Sequence, residues 1–256
     1  MINKNSLSIF AALLISIMSA VIISGCSSAN KSNIDTDDPD KAYEIAMQSY
    51  NKKDYTQAVE DFSLIKLKFS GSKNIDKAQF YLGMSYYYRK EYILAANEFE
   101  NLLKNYTSSE FQVEGRYMLA MSYYSLSPEY YLDQTYTNYA LIEFQNFLII
   151  YPKDKKVPEV EAKIKELRNK LALKEYSAGL LYLKMDRYKA AQVYFEKVQT
   201  EYYDTDYADD ASFNKIKVLI MRKKSDEAKK EIALFESKYK SSIYYSQVEN
   251  LKKSLQ

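Results

Sequence analysis

The sequence contains no histidine, and its one cysteine is Cys26. The lack of histidine removes the commonest general base, the usual nucleophilic triads and most zinc sites. A lone cysteine cannot form a disulfide within the chain, and it cannot build a cysteine cluster that holds a metal. We therefore expect no catalytic residues, no metal site and no cofactor.

Glycine and proline are also scarce, with five and four residues among 256. This leaves too few turn formers for a many-stranded β fold and too few glycines for phosphate-binding loops, so helices are favoured. The formal net charge is only +2, and no stretch concentrates lysine and arginine as a nucleic-acid-binding surface would. With 47% hydrophobic and 27% charged residues, the chain can bury a sizeable core. We expect a globular protein that does not bind nucleic acid.

The first residues have the features of an export signal. Lys4 and the amino terminus supply positive charge, and an apolar run interrupted only by serines extends from Leu7 to Ile23. The run ends in Ile23-Ser24-Gly25-Cys26, which resembles the lipobox of bacterial lipoproteins, where small residues precede a cysteine that receives a diacylglycerol. A membrane-spanning helix is the alternative, but the small-residue site and the polar tail favour a lipoprotein signal peptide over 1–25.

The lipobox resemblance implies a lipid anchor on Cys26, whose acyl chains would hold the protein on the outer membrane. Ser27 and Ser28 favour this membrane, because the usual signal for retention in the inner membrane is an aspartate at that place. Residues 26–40 are rich in Ser, Asn and Asp and are predicted to be a lipidated flexible tether. The folded body would then cover 41–256, on the periplasmic face of the membrane.

Three kinds of residue recur with the same rhythm through this body. An alanine recurs with separations of 37, 45, 51 and 37, at Ala58, Ala95, Ala140, Ala191 and Ala228. Four residues after each alanine comes an apolar side chain, at Phe62, Phe99, Phe144, Phe195 and Ile232. An aromatic residue closes each unit, at Phe69, Tyr106, Tyr151, Tyr202 and Tyr239. Together with Leu82-Gly83-Met84-Ser85-Tyr86, this pattern resembles the tetratricopeptide repeat, a pair of packed helices.

The repeats predict an all-α tetratricopeptide-repeat solenoid of about five helical hairpins plus a C-terminal capping helix. The approximate bounds of these hairpins are 41–70, 76–107, 112–152, 158–203 and 207–240, and the cap covers 243–255. The interval of 45 contains eight extra residues around Ser127 to Thr135, which predict a longer loop inside the third hairpin.

This middle region resembles the BamD family, the tetratricopeptide lipoproteins of the β-barrel assembly machinery. The shared motifs are Ser127-Pro128, Asp133-Gln134-Thr135, the helix from Ala140 to Pro152 and the helix from Leu167 to Tyr176. The resemblance implies a scaffold that binds a BamA-like barrel protein and unfolded outer-membrane proteins. The resemblance also implies that the BamA-like protein binds the carboxyl-terminal hairpins, where Arg222 and Asp226 lie in a polar turn. The alternative is that this turn is simply a solvated loop.

The first helices, set in register, align three columns of side chains. They are Tyr43, Phe80 and Tyr117; then Met47, Met84 and Met121; then Tyr50, Tyr87 and Tyr124. The corresponding positions of tetratricopeptide repeats usually line the concave surface, so these columns are predicted to form a peptide-binding groove for extended chains with aromatic residues. The alternative is that the columns are core between repeats.

The sequence is also partly compatible with two other functions. Repeat architecture alone also fits a general periplasmic adaptor that organises envelope or cell-wall proteins. An enzyme would have to be a carboxylate-based hydrolase, and no carboxylate pair stands apart from ordinary surface charge. We therefore expect a binding protein, with no enzymatic activity and no small-molecule substrate.

Overall fold

The computed structural model describes residues 31–255, so the predicted signal peptide over 1–25 and the predicted lipidation at Cys26 lie outside the described residues. Eleven α-helices and no strands occur in this part of the chain. They are α1 Pro39–Asn51, α2 Tyr55–Lys68, α3 Ile75–Tyr88, α4 Tyr92–Asn105, α5 Gln112–Leu126, α6 Thr135–Ile150, α7 Val157–Lys184, α8 Tyr188–Glu201, α9 Ala208–Met221, α10 Ser225–Lys238 and α11 Tyr245–Ser254. None of the described helices combines the length and the apolar character needed to cross a membrane.

Each helix packs against the next one along the chain, and α1, α3 and α5 also contact one another in order, as do α7 and α9. The helices therefore form five hairpins followed by the single helix α11, and the predicted all-α tetratricopeptide-repeat solenoid is confirmed. Two features of the helices were not predicted from the sequence. Helix α1 begins at Pro39, where the side chain of Asp38 caps it, and α7 continues for 28 residues, about twice the length of its neighbours.

The second helix of each hairpin supplies the core residues that the repeats predicted. Phe62, Phe99, Phe144 and Phe195 are fully buried, and Ile232 is 1% exposed. A first-helix glycine lets two of these rings approach closely, at Gly83 in α3 and Gly179 in α7. The five predicted aromatic residues follow the last residue of α2, α4, α6, α8 and α10, one after each helix.

A left-handed residue joins the two helices in four of the five hairpins. These residues are Lys53, Lys90, Asp186 and Lys223, with φ between 55° and 62°. None is a glycine, so each turn bears the modest steric cost of a Cβ atom in this region. The third hairpin has instead the longer loop over 127–134, which Gln134 organises by donating to the carbonyl oxygens of Glu129 and Leu132.

The segment before α1 is held against the first hairpin. Ser32 and the backbone N–H of Asn33 both donate to the carboxylate of Asp61 in α2, each over 2.8 Å. Ile34 packs against the core of the same hairpin. The predicted flexible tether over 26–40 therefore needs correction from residue 31 onwards, where these contacts fix the chain.

Candidate peptide-binding and partner-binding surfaces

The first predicted groove column lies between successive hairpins. Phe80 and Tyr117 are only 5% and 8% exposed. The ring of Phe80 stacks on Phe111 with centroids 4.3 Å apart, and the Tyr117 hydroxyl donates to Glu159 in α7 over 2.6 Å. Assigning Phe80 and Tyr117 to a groove is therefore wrong, because both side chains pack one hairpin against the next. Tyr43 is half-buried and packs on Phe62 at 6.1 Å.

The aromatic residues that pack on this column explain why its side chains are buried. Tyr176 in α7 and Phe213 in α9 continue this column into the later hairpins. The aromatic N-cap residues of α5, α9 and α11 stack on it, in the pairs Phe80 with Phe111, Tyr176 with Tyr207 and Phe213 with Tyr244. Phe111 and Tyr207 stand six residues before the next column residues, Tyr117 and Phe213. An aromatic residue at this spacing is the feature that identifies the column as core from sequence.

The other two columns remain half-buried. Met47, Met84 and Met121 pack against the edges of the hairpin cores. In the third hairpin, the first turns of α7 lie against Tyr124, the last residue of the column formed by Tyr50, Tyr87 and Tyr124. The Tyr124 hydroxyl donates to Glu166 over 2.7 Å, and Lys163 Nζ lies 4.1 Å from the Tyr124 ring centroid. Burial, and then the bond to Glu166, raises the pKa of the Tyr124 hydroxyl. These contacts with α7 cover part of Tyr124, and the predicted groove stays a prediction for the side chains on α1 and α3.

Five tyrosines meet where the first two hairpins turn, and we call them the tyrosine cluster: Tyr50, Tyr55, Tyr87, Tyr88 and Tyr92. Tyr55 and Tyr88 stack with centroids 4.6 Å apart, while Tyr50 and Tyr87 lie edge-on to Tyr55 and Tyr92 at 5.6 and 5.2 Å. Burial raises the pKa of Tyr50. Tyr88 is 48% exposed and presents its ring to solvent. The cluster offers stacking surface together with phenolic donors.

Tyr88 was not among the predicted groove residues, although it is the most exposed of the cluster. It follows Tyr86 and Tyr87, and three consecutive aromatic residues on a helix spread over about 200° of its circumference at 3.6 residues per turn. At least one of the three side chains must therefore point away from the core. Tyr55 and Tyr92, at the starts of the second helices, pack on Tyr88 and Tyr87.

Arg222 lies in a cleft at the turns of the fourth and fifth hairpins. The cleft has a volume of about 630 Å³ and is lined by Asp186, Arg187, Tyr188, Lys189, Ala190, Val193 and Arg222. Within residues 31–255, the Arg222 guanidinium bonds the neutral amide oxygen of Gln192 in α8. Its positive charge therefore stays available to a carboxylate from another molecule. Asp226 is exposed in the first turn of α10 and does not line the cleft.

Exposed apolar side chains accompany Arg222. Val193 in the cleft is 58% exposed, and Met185 and Met221, at the ends of α7 and α9, are 55% and 49% exposed. Apolar side chains around an arginine are typical of residues that dominate protein interfaces. Arg222 was predicted from sequence but these apolar residues were not, because each is a single exposed side chain that has no counterpart in a periodic pattern.

The chain resembles known proteins over most of its length. A family model described as YfiO, outer membrane lipoprotein, matches residues 35–234. Among solved structures, a tetratricopeptide repeat protein from Parabacteroides merdae has 18% identity and a TM-score of 0.38, over 83% of this chain and 72% of that chain. The TPR2AB domain of yeast Sti1 in complex with pHSP90 has 9% identity and a TM-score of 0.39, over 85% of this chain and 98% of that chain. No curated protein matches the sequence significantly.

Proposed function

Because this chain belongs to the YfiO family of outer membrane lipoproteins, we propose that it is a lipid-anchored scaffold of the β-barrel assembly machinery. In this role it binds a BamA-like barrel partner and receives unfolded outer-membrane proteins for insertion. The family match over residues 35–234 is the observation that carries the proposal, since it extends from the segment before α1 into α10. The helical repeats support it, because stacked hairpins offer extended surfaces to other proteins. The anchor is the diacylglycerol on Cys26.

The peptide-binding surface in this proposal is the tyrosine cluster with Met47 and Met84 beside it. Unfolded barrel proteins end in strands with aromatic residues, and such side chains can stack on Tyr88 while the adaptable thioethers fill the remaining gaps. The surface lies on the first two hairpins, away from the region of the third hairpin that α7 covers. A peptide can therefore bind without moving α7.

The barrel partner binds at the cleft that contains Arg222. Arginine in the middle of an apolar surface can donate two parallel hydrogen bonds to one carboxylate, which gives both orientation and affinity. Ala190 and Val193, which line the cleft with Arg222, would exclude water around that bond, and the exclusion strengthens it. The two binding surfaces belong to opposite ends of the repeat array, so both partners can bind at once.

Depletion in the native bacterium tests the proposal. If the chain is a scaffold for barrel assembly, its loss lowers the amount of folded β-barrel protein in the outer membrane before the cell wall changes. Variants of the chain that restore growth of the depleted cells can then be tested for the same loss of folded barrel protein. Cell-wall or division defects that precede any loss of barrel proteins would overturn the proposal and support the periplasmic adaptor instead.

A further inference from the structure

The carboxylate of Asp61 in α2 is fully buried, yet the first hairpin alone does not satisfy it. Inside the hairpin it accepts hydrogen bonds from Ser49 over 2.7 Å and from Gln57 over 3.0 Å. Its other two donors are Ser32 Oγ and the backbone N–H of Asn33, each 2.8 Å away, in the segment before α1. A buried carboxylate is costly unless donors surround it, so the fold needs this segment in place.

Further contacts extend along α2 on both sides of Asp61. Gln57 also donates to the carbonyl oxygen of Lys31 over 3.0 Å, and Lys68 near the end of α2 pairs with Asp37. Ile34 lies between these points and packs on the core of the first hairpin. The segment 31–37 therefore follows α2 from its first turns to its last, and we call it the docked segment.

Docking shortens the connection between the lipid anchor and the folded body. Cys26 precedes Lys31 by five residues, which span at most about 17 Å when fully extended. A chain free from Cys26 to Asp40 would span up to about 50 Å. The bonds at Asp61 thus bring the start of the docked segment, and α2 beside it, within a short distance of the lipid headgroups.

The surface next to the docked segment is suited to contact with lipid. Lys31, Ile34, Leu64 and Leu67 line a common cleft on α2, and Leu67 is 82% exposed, among the most exposed large apolar side chains of the described residues. The turn before α2 carries Lys52 and Lys53, both exposed, which can approach anionic headgroups. Glu60 also lines the cleft, so exposed leucines stand there beside one lysine and one acid, while the two lysines lie at the other end of α2; exposed apolar side chains with cations on the same helix are found on surfaces that lie at a bilayer interface.

We propose that the Asp61 contact is an orientation device, which holds the Leu67 side of α2 against the membrane surface while the remaining hairpins extend into the aqueous phase. The proposal rests on the lipid anchor at Cys26 that belongs to the proposed function. The occupant of the Leu67 surface is the lipid headgroup layer of the membrane that carries the anchor. The short reach from Cys26 leaves this surface closer to the bilayer than any later hairpin.

A depth measurement on the full-length lipidated protein tests this inference. A fluorophore is placed at Leu67→Cys, and separately at Leu234→Cys, an exposed leucine (52%) on the second helix of the last hairpin. Both proteins are reconstituted in phosphatidylethanolamine–phosphatidylglycerol vesicles that contain a nitroxide headgroup lipid. Acylated Cys26 cannot take the label, so each protein carries one fluorophore.

The expected result is strong quenching of the probe at residue 67 and none at residue 234. Asp61→Ala, which removes the acceptor of Ser32 and Asn33, lowers the quenching at residue 67, and so does the pair Ser32→Ala with Ile34→Ser, which weakens the docked segment without altering any helix. The pair of substitutions still tests the inference if the Asp61→Ala protein does not fold. Equal quenching at the two positions, or quenching at residue 67 that the pair of substitutions does not lower, would overturn the inference.

The outcomes separate this inference from the proposed function. If the protein does not float with vesicles and its mass shows no acyl chains, the lipid anchor itself is disproved. If it floats but the probe at residue 67 is not quenched, the anchor stands and the orientation is wrong. Protection of residue 67 by a second copy of the chain, seen as concentration-dependent shielding without vesicles, also contradicts the inference.

Discussion

Gly83 in α3 lies against the ring of Phe99 in α4, and a Cβ atom at this glycine would come within 2.8 Å of Phe99 Cε1. Phe99 is fully buried, so its ring has no free space to retreat into. The contact explains why a glycine stands in the middle of a helix, where it costs about 1 kcal/mol relative to alanine. Gly179 and Phe195 repeat the arrangement in the fourth hairpin at 2.5 Å.

Gly83→Ala is therefore expected to destabilise the protein, although alanine is the better helix former. Overpacking of a buried site costs about 1 to 3 kcal/mol, which exceeds the gain in helix propensity. Urea unfolding of the two proteins measures the difference. Gly71→Ala is the matched control, because no atom lies within 4 Å of that position, and we expect a change below about 0.5 kcal/mol. Equal effects at the two glycines would contradict the packing argument.

Tyr88→Ala is expected to weaken binding of a carboxyl-terminal barrel-protein peptide by about 1 to 2 kcal/mol. The ring is 48% exposed and stacks on Tyr55, so its removal takes away contact area without opening the core. Tyr87→Ala should have an effect of similar size, and it also removes the 3.3 Å contact with Ser125. Isothermal titration gives the affinities, and circular dichroism confirms that each variant is folded.

Tyr124→Ala tests whether the peptide binds the tyrosine cluster or the predicted column of Tyr50, Tyr87 and Tyr124. Tyr124 is covered by Glu166 and Lys163 of α7, so the same peptide should bind this variant with almost unchanged affinity. A large loss of affinity at Tyr124 with none at Tyr88 would move the peptide site to the third hairpin.

Arg222→Ala should weaken binding of the soluble periplasmic domains of the barrel partner by about 2 kcal/mol or more. Arg222→Lys should recover only part of the affinity, because an ammonium group cannot form the paired hydrogen bonds of a guanidinium. Asp226→Ala is the control outside the cleft and should change the affinity by less than about 0.5 kcal/mol. Surface plasmon resonance gives these values. An unaffected Arg222→Ala variant would place the partner elsewhere.

Stability should fall at alkaline pH because buried tyrosines must ionise. Burial, and then the negative charge of Asp210, raises the pKa of Tyr176 to about 12. A folded-state pKa above the unfolded value near 10 means that the stabilisation is complete below pH 10 and is lost as the pH rises towards 12. Urea midpoints across this range should fall less steeply for Tyr176→Phe than for the natural sequence. Parallel curves would show that Tyr176 does not contribute.

The repeats made most of the fold predictable, because the recurring alanine and phenylalanine positions determine which helix faces are buried. Phe62, Phe99 and Phe144 were found in this way, and so were the aromatic residues that end the second helices. The 28-residue α7 was not predicted, since nothing in the interval of 51 residues distinguishes one long helix from a helix followed by a loop.

The candidate surfaces were harder to predict than the fold. Phe80 and Tyr117 have the spacing of a groove column, but whether such a column is exposed depends on what the next hairpin brings against it. Phe111 and Glu159, which pack on them, belong to other parts of the sequence; Phe111 shares its spacing only with Tyr207, and Glu159 has no counterpart in the other repeats' spacing. The docked segment was missed for the same reason, because a composition rich in Ser, Asn and Asp does not reveal that Ser32 bonds a carboxylate 29 residues away.

The most direct test of the scaffold function is a pull-down of the tagged, lipidated protein from native membranes in mild detergent, with the amount of each co-purifying protein measured. A scaffold of barrel assembly should recover a large β-barrel protein with tandem periplasmic domains in near-equal amount, and should lose that protein when Arg222 is replaced by alanine. Recovery of cell-wall or division proteins without any barrel protein would contradict it.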